Sequence, residues 1–198
     1  MAKKGFESFR YALFNREPKY WRLSPCLNSE GFCLVLEDRK SSSHILTKLK
    51  NPIFLSDKLR LVMEFMVEAW PKQTDLSKKD KEDAALRIFL TADIDGRNAH
   101  LGLAVTKDHA PGQIMVSERE PKDIKYITVS ENPTKDIWHR TSTPIAASFQ
   151  KAFGTFEKAE IIAIGLKSDG NNTSSDVKVW LRELKIESIS PAIKPRDS

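Results

Sequence analysis

Residues 159–187, AEIIAIGLKSDGNNTSSDVKVWLRELKIE, decide the fold class. The first part, Ile161-Ile162-Ala163-Ile164-Gly165-Leu166, is a short unbroken apolar run. Such a run suits a strand covered on both faces near the middle of a sheet. In the second part Val177, Val179 and Leu181 share one parity, while Trp180, Leu184 and Ile186 share the other. That mixture predicts either two covered faces or a bulge that shifts the register near Arg182-Glu183. Residues 167–176 between them hold Ser168, Asp169, Gly170, Asn171, Asn172, Thr173, Ser174 and Ser175. These side chains close turns by bonding to nearby backbone, so the stretch reads as one polar loop.

Upstream, the same period-two pattern recurs in short pieces. Leu59, Leu61, Met63, Phe65 and Val67 alternate with Arg60, Glu64 and Glu68, the clearest half-buried strand in the chain. Phe32, Leu34 and Leu36 form another, and residues 44–50 a third that Pro52 is expected to break. Leu86, Ile88 and Leu90 lead through the Asp95-Gly96 turn signal into Leu101, Leu103 and Val105. Shorter extended pieces are expected at 113–117, at 124–128 and from Ile137-Trp138 onward. Residues 72–83 mix Lys and Asp/Glu with one clearly apolar residue, Leu76, and read as a solvated loop. One segment has helical spacing: Ile145, Phe149 and Phe153 follow Thr143 as N-cap and Pro144 at the first helical position, and Gly154 ends it.

Nine or ten short strands and one helix near 144–153 predict an all-β protein, a two-layer antiparallel β-sandwich of jelly-roll, concanavalin-like or galactose-binding-like type. The helix is expected to plug one end. The 198 residues divide into an N-terminal arm (1–19), the sandwich domain (20–189) and a flexible tail (190–198).

Lys and Arg exceed Asp and Glu by five, but they are scattered among the acids and not gathered in aromatic-flanked stripes. A nucleic-acid partner is not expected, and the excess reads as a solubility feature. No apolar run approaches the length of a membrane span. The first ten residues lack a leader's apolar segment, which points to the cytoplasm; a leader removed beforehand would place the chain in the periplasm or outside the cell. Cys26 and Cys33 flank a turn-like stretch, as a cross-strand bridge or as two buried thiols. Neither cysteine belongs to a zinc spacing.

Three features are candidate ligand contacts. Asp169, Asn171, Asn172 and Thr173 supply oxygens of the kind calcium takes, although not at the spacing of a calcium helix-loop-helix; a self-closed turn is the plainer reading. Arg87 sits on a strand and needs an acidic partner, for which Asp83, Glu64 and Asp169 are available. Trp138, beside His139 and Arg140, is the tryptophan best placed to stack on a sugar ring, the others reading as packing. His44, His100, His109 and His139 are far apart, and no nucleophile or zinc-protease motif is present.

Asp83-Ala84-Ala85-Leu86-Arg87-Ile88-Phe89-Leu90, Trp138 with the helix end Phe149-Gln150-Lys151-Ala152-Phe153-Gly154, and the loop 167–173 together resemble a bacterial family of domains of unknown function. The likeness runs from Tyr20 to Ile186, with Asn171 standing where the family pattern has Asp. It implies a jelly-roll-like sandwich that is typically exported. The sandwich pattern, the polar loop and the absence of a catalytic motif lead to the reading of a non-catalytic module that binds a polar ligand, a carbohydrate or cell-envelope polysaccharide, through Arg87, Asp83, Trp138, Asp169, Asn171, Asn172 and Thr173. It needs no cofactor unless calcium joins the loop. The alternatives are a polysaccharide lyase or hydrolase and a structural or protein-interaction module.

Overall fold

Alternating apolar residues stack two sheets face to face in the computed structural model, which describes residues 20–28, 30–130 and 133–189. The expected arm and tail lie outside the described residues. The first sheet runs, in spatial order, β1 (Arg22–Pro25), β2 (Phe32–Arg39), β11 (Asp176–Ser188), β4 (Leu59–Ala69) and β9 (Trp138–Pro144). The second runs β3 (Ser42–Phe54), β10 (Ala159–Asp169), β5 (Ala84–Ile94), β6 (Arg97–Val105), β8 (Ile124–Thr128) and β7 (Ile114–Val116). All neighbours are antiparallel except β6 and β8, which are parallel.

The core lies between the layers. Leu61, Met63, Phe65 and Val67 of β4, with Val177, Val179 and Leu181 of β11, meet Leu86, Ile88 and Leu90 of β5 and Leu101 and Leu103 of β6. The opposite parity of β11 is accommodated as the mixed pattern requires: a bulge shifts its register against β4 between Leu181 and Glu183. Asp95 and Gly96, both at positive φ, turn β5 into β6, and the Gly96 N–H donates to Asp93 Oδ1 at 2.9 Å. A disulfide joins Cys26 to Cys33 across the β1–β2 turn. Helix α1 (Ile145–Phe153) buries Ile145 and Phe149 in the core and packs against β4, β6, β8 and β9.

Four expectations need correction. Pro52 does not end its strand: β3, an edge strand, continues to Phe54, but its pairing with β10 skips residues 49–52, a bulge that takes up the missing N–H. Pro144, not Thr143, stands at the N-cap of α1, since Thr143 still pairs with Leu61 in β9. Strand β10 runs three residues past Leu166, so Asp169 belongs to a strand and not to the polar loop. The stretch 72–83 is not simply solvated. It folds over the outer face of the second sheet, where Leu76 packs with Ala84, Ala104, Met115 and Tyr126, and where Glu82 and Asp83 are buried.

Candidate functional site

Two polar regions stand out, one closed and one open. The closed one holds most of the residues singled out in the sequence. Arg87 has the parity opposite to Leu86 and Ile88, so it points away from the core, with Lys167 of β10 and Ala104 of β6 as its neighbours across the sheet. It is 0% exposed. Its Nη2 ion-pairs with Asp169 Oδ2, and its guanidinium lies 5.5 Å from the ring of Tyr126 and 5.9 Å from that of Phe89. Lys167 Nζ reaches the same Asp169 oxygen at 2.6 Å. Arg87 Nε and Nη1 and Asp169 Oδ1 have no hydrogen-bond partner among the described residues.

The buried carboxylates beside it are engaged by the protein itself. Asp83 accepts from the backbone N–H of Asn172 at 3.2 Å and from both the N–H and the hydroxyl of Thr173 at 2.7 Å. Glu82 accepts from Tyr126 Oη at 2.5 Å, Ser117 Oγ at 2.9 Å and Arg119 Nε at 2.9 Å. Asn172 Nδ2 donates to the Lys79 carbonyl at 2.8 Å, while Asn171 is exposed. Burial is the largest influence on Arg87 and opposes its charge, yet Asp169, Tyr126, Glu82 and Asp83 together outweigh it and hold the guanidinium above its ordinary range. Burial, then the charge of Arg87, pushes the Lys167 amine down, and burial pushes the Tyr126 phenol up. Arg87 with Asp169 and Lys167, and Asp83 with Asn172 and Thr173, are thus two neighbouring polar groups, of which the second fastens the 170–175 turn to the 72–83 stretch. Among the described residues no cluster of His, Cys, Asp and Glu is arranged to hold a metal ion.

Trp138 lies elsewhere, on the outer face of the first sheet against Cys26, Cys33, Val35, Met66 and Trp180. Arg182 stacks 4.7 Å above its ring, and its Nε1 donates to the Leu27 carbonyl at 3.2 Å, inside the turn that the disulfide closes. It is a pin between that turn and the start of β9.

The open region follows from β9. His139, Thr141 and Thr143 pair with Phe65, Met63 and Leu61 and share their core-facing parity, yet all three are polar. The His139 ring stacks on Phe65 at 5.8 Å, and its Nε2 accepts from the Thr134 N–H at 3.0 Å. Where aliphatic side chains would close the edge of the sandwich, a groove opens. One cavity of about 420 Å³ is lined by Val129, Ser130 and residues 139–143. A second, about 290 Å³, shares Val129, Ser142 and Thr143 with the first and continues to Gly112 and to Ala147, Ser148 and Lys151 of α1. The hydroxyls of Ser130 and Thr141 are buried in its walls and have no partner among the described residues. Arg140 pairs with Glu183 at 2.7 Å, and Lys151 Nζ donates to the Gly112 carbonyl at 2.6 Å.

Ser130, Thr141 and Ser142 went unremarked in the sequence, where Thr143 was read only as a helix N-cap and Lys151 only as part of a helix end. The signal was available: a Trp-His-Arg-Thr-Ser-Thr run is strand-like in its β-branched residues, but neither parity is apolar.

The model of a family described as protein of unknown function, DUF3047, matches residues 27–185, and the chain belongs to that family. No curated protein matches the chain. Among solved structures it is similar to the family 30 carbohydrate-binding module of a cellulosomal cellulase of Clostridium thermocellum, at 10% identity and a TM-score of 0.44 over 85% of this chain and 82% of that one. It is similar also to the xyloglucanase domain of NopAA, a type three effector from Sinorhizobium fredii, at 12% identity and a TM-score of 0.39 over 92% and 98%. A third is SGBP-B from a xyloglucan utilization locus of Bacteroides uniformis, at 13% identity and a TM-score of 0.34 over 81% and 41%.

Proposed function

Within this family, we propose that the chain is a non-catalytic binding module for a hydroxyl-rich ligand of the carbohydrate class, and that the ligand lies in the groove beside β9. The observation that carries the reading is the polar lining of a position that belongs to the core, with the Ser130 and Thr141 hydroxyls left unpaired there. A buried hydroxyl without a partner costs about 1–3 kcal/mol, and a sugar hydroxyl, both donor and acceptor, relieves that cost from either direction. The larger cavity falls within the range of roughly 300–1,000 Å³ that small-ligand sites occupy.

A non-catalytic role is supported by the chemistry of the lining. Glycoside cleavage uses two carboxylates flanking the bond, and the described lining residues include none. The buried acids Glu82, Asp83 and Asp169 belong to the polar groups on the other side of the second sheet. Arg87 and the 170–175 turn act in this account as the frame that keeps that sheet rigid, and not as ligand contacts.

A glycan array followed by calorimetry on the hits tests the reading. The expected result is saturable binding that weakens severalfold in Thr141→Val and Ser130→Ala, about 1 kcal/mol each. An array with no binder, or binding that ignores both substitutions, overturns it.

A further inference from the structure

The groove is lined by three basic residues, His139, Arg140 and Lys151, and by no acidic one among those described. The three are not equivalent. Arg140 is already matched by Glu183 at 2.7 Å, with Glu64 at 4.0 Å. His139 holds the backbone of Thr134. Lys151 has no carboxylate within ion-pair distance among the described residues; its ammonium rests on one neutral acceptor, the Gly112 carbonyl. That carbonyl is itself fixed, because the Gly112 N–H donates to the Thr128 carbonyl at 2.7 Å. Lys151 is therefore an exposed lysine at the wall of the smaller cavity, with no protein anion beside it among the described residues and donors to spare, since an ammonium carries three.

A lysine in the last turn of a helix has an ordinary role, which is to neutralise the carbonyls at the C-terminal end. Here Lys125 fills that role: its Nζ donates to the Ala152 carbonyl at 2.5 Å and lies 5.1 Å from the Phe153 ring. Lys151 turns instead to Gly112 and the groove. A ligand carboxylate there would gain a charge-assisted hydrogen bond without first displacing a protein anion.

We propose that the groove selects acidic carbohydrate, chains carrying uronate carboxylates, and that Lys151 is the contact that reads the charge. The inference rests on the binding reading above and adds the class of sugar. The formal net charge of +5 favours the approach of such a polyanion.

The test compares oligogalacturonate with its fully methyl-esterified form, which keeps the same ring hydroxyls and removes the charge, alongside a panel of neutral oligosaccharides. The expected result is a preference of about tenfold for the uronate, falling toward parity as salt is raised. Lys151→Gln should bring the two forms together, and Lys151→Arg should keep most of the preference. Equal affinity for the charged and esterified forms, binding of neutral sugars alone, or a preference that persists in high salt overturns the proposal and leaves the binding reading standing. If no sugar of either kind binds, both fall. The salt series needs only the unaltered protein, so the outcome does not depend on the variants folding.

Discussion

The outer face of the second sheet and the core-facing side of β9, the edge strand of the first, treat polar residues in opposite ways. On the outer face, Arg87, Lys167, Asp169, Glu82 and Asp83 are gathered under the 72–83 stretch, and nearly every carboxylate oxygen meets a protein donor. On the inner side, at the β9 edge, the residues are mild, mostly Ser and Thr, but they line an opening, and the hydroxyls of Thr128, Ser130 and Thr141 there have no partner among the described residues. Strong chemistry in the closed region holds the fold, and in the proposed function weak chemistry in the open region is what a ligand reaches. Charge and loop composition single out the closed region and pass over the open one, because they say nothing of access.

The largest effect separating the regions is expected from the ion pair. Removing the shared acid, Asp169→Ala, strands Arg87 and Lys167 and should cost about 3–5 kcal/mol, read as a lowered midpoint in chemical denaturation, while Arg87→Ala should cost less because Lys167 still pairs with Asp169. The double replacement Arg87→Met with Asp169→Leu should recover most of that loss. If the single variants are as stable as the parent, the ion pair is not the frame described here.

Next in size is the Cys26–Cys33 bridge. Replacing both cysteines by Ser should destabilise by about 2 kcal/mol through the freed unfolded chain. It should also loosen the pin between Leu27 and Trp138 and weaken glycan binding through β9, an effect that Trp138→Phe should reproduce in part without touching the disulfide. A smaller change, of opposite sign, marks the open region: Thr141→Val should raise the melting temperature slightly while reducing binding, because it deletes an unpaired buried hydroxyl and keeps the shape. Loss of stability in that variant would show that the hydroxyl is structurally bonded.

The smallest effect is one of pH. Burial holds the Asp38 carboxyl above its ordinary value of 3.8, although Ser168, Ser43, Trp21 and Ser41 donate to it. A folded-state pKa above the unfolded one means that the native state binds the proton more tightly. The ionised group therefore costs stability at neutral pH, and that cost disappears as pH falls through the folded value toward 3.8. Relative to Asp38→Asn, the parent protein should gain stability between pH 7 and pH 4 in paired denaturation curves. A relative loss over that interval would mean that the four donors win over burial.

The strands were legible because a period of two is local information. Each of β4, β5, β6 and β11 announces its own buried parity, and the bulge near Arg182 follows from the residues on either side of it. The partner of Arg87 was narrowed to three acids; the choice of Asp169 depends on β10 extending past Leu166, which sheet pairing and not composition determines. The 72–83 stretch misled for a similar reason: eight charged residues among twelve look solvated until Leu76 is seen to dock on Tyr126 and draw Glu82 and Asp83 down with it. The groove was the least visible feature. Its walls come from β9, the segment after β8 and α1, which meet only in the folded chain. What the chain alone could have shown is the lack of an apolar parity in residues 138–143.

The most direct measurement is the amide chemical-shift change on titrating an oligosaccharide into the labelled protein. The account predicts that the shifted amides cluster at Ser130, residues 139–143, Ser148 and Lys151, with Asn171–Thr173 and Arg87 unmoved. Shifts centred on Asn171, Asn172, Thr173 and Arg87, with the β9 groove silent, would contradict it.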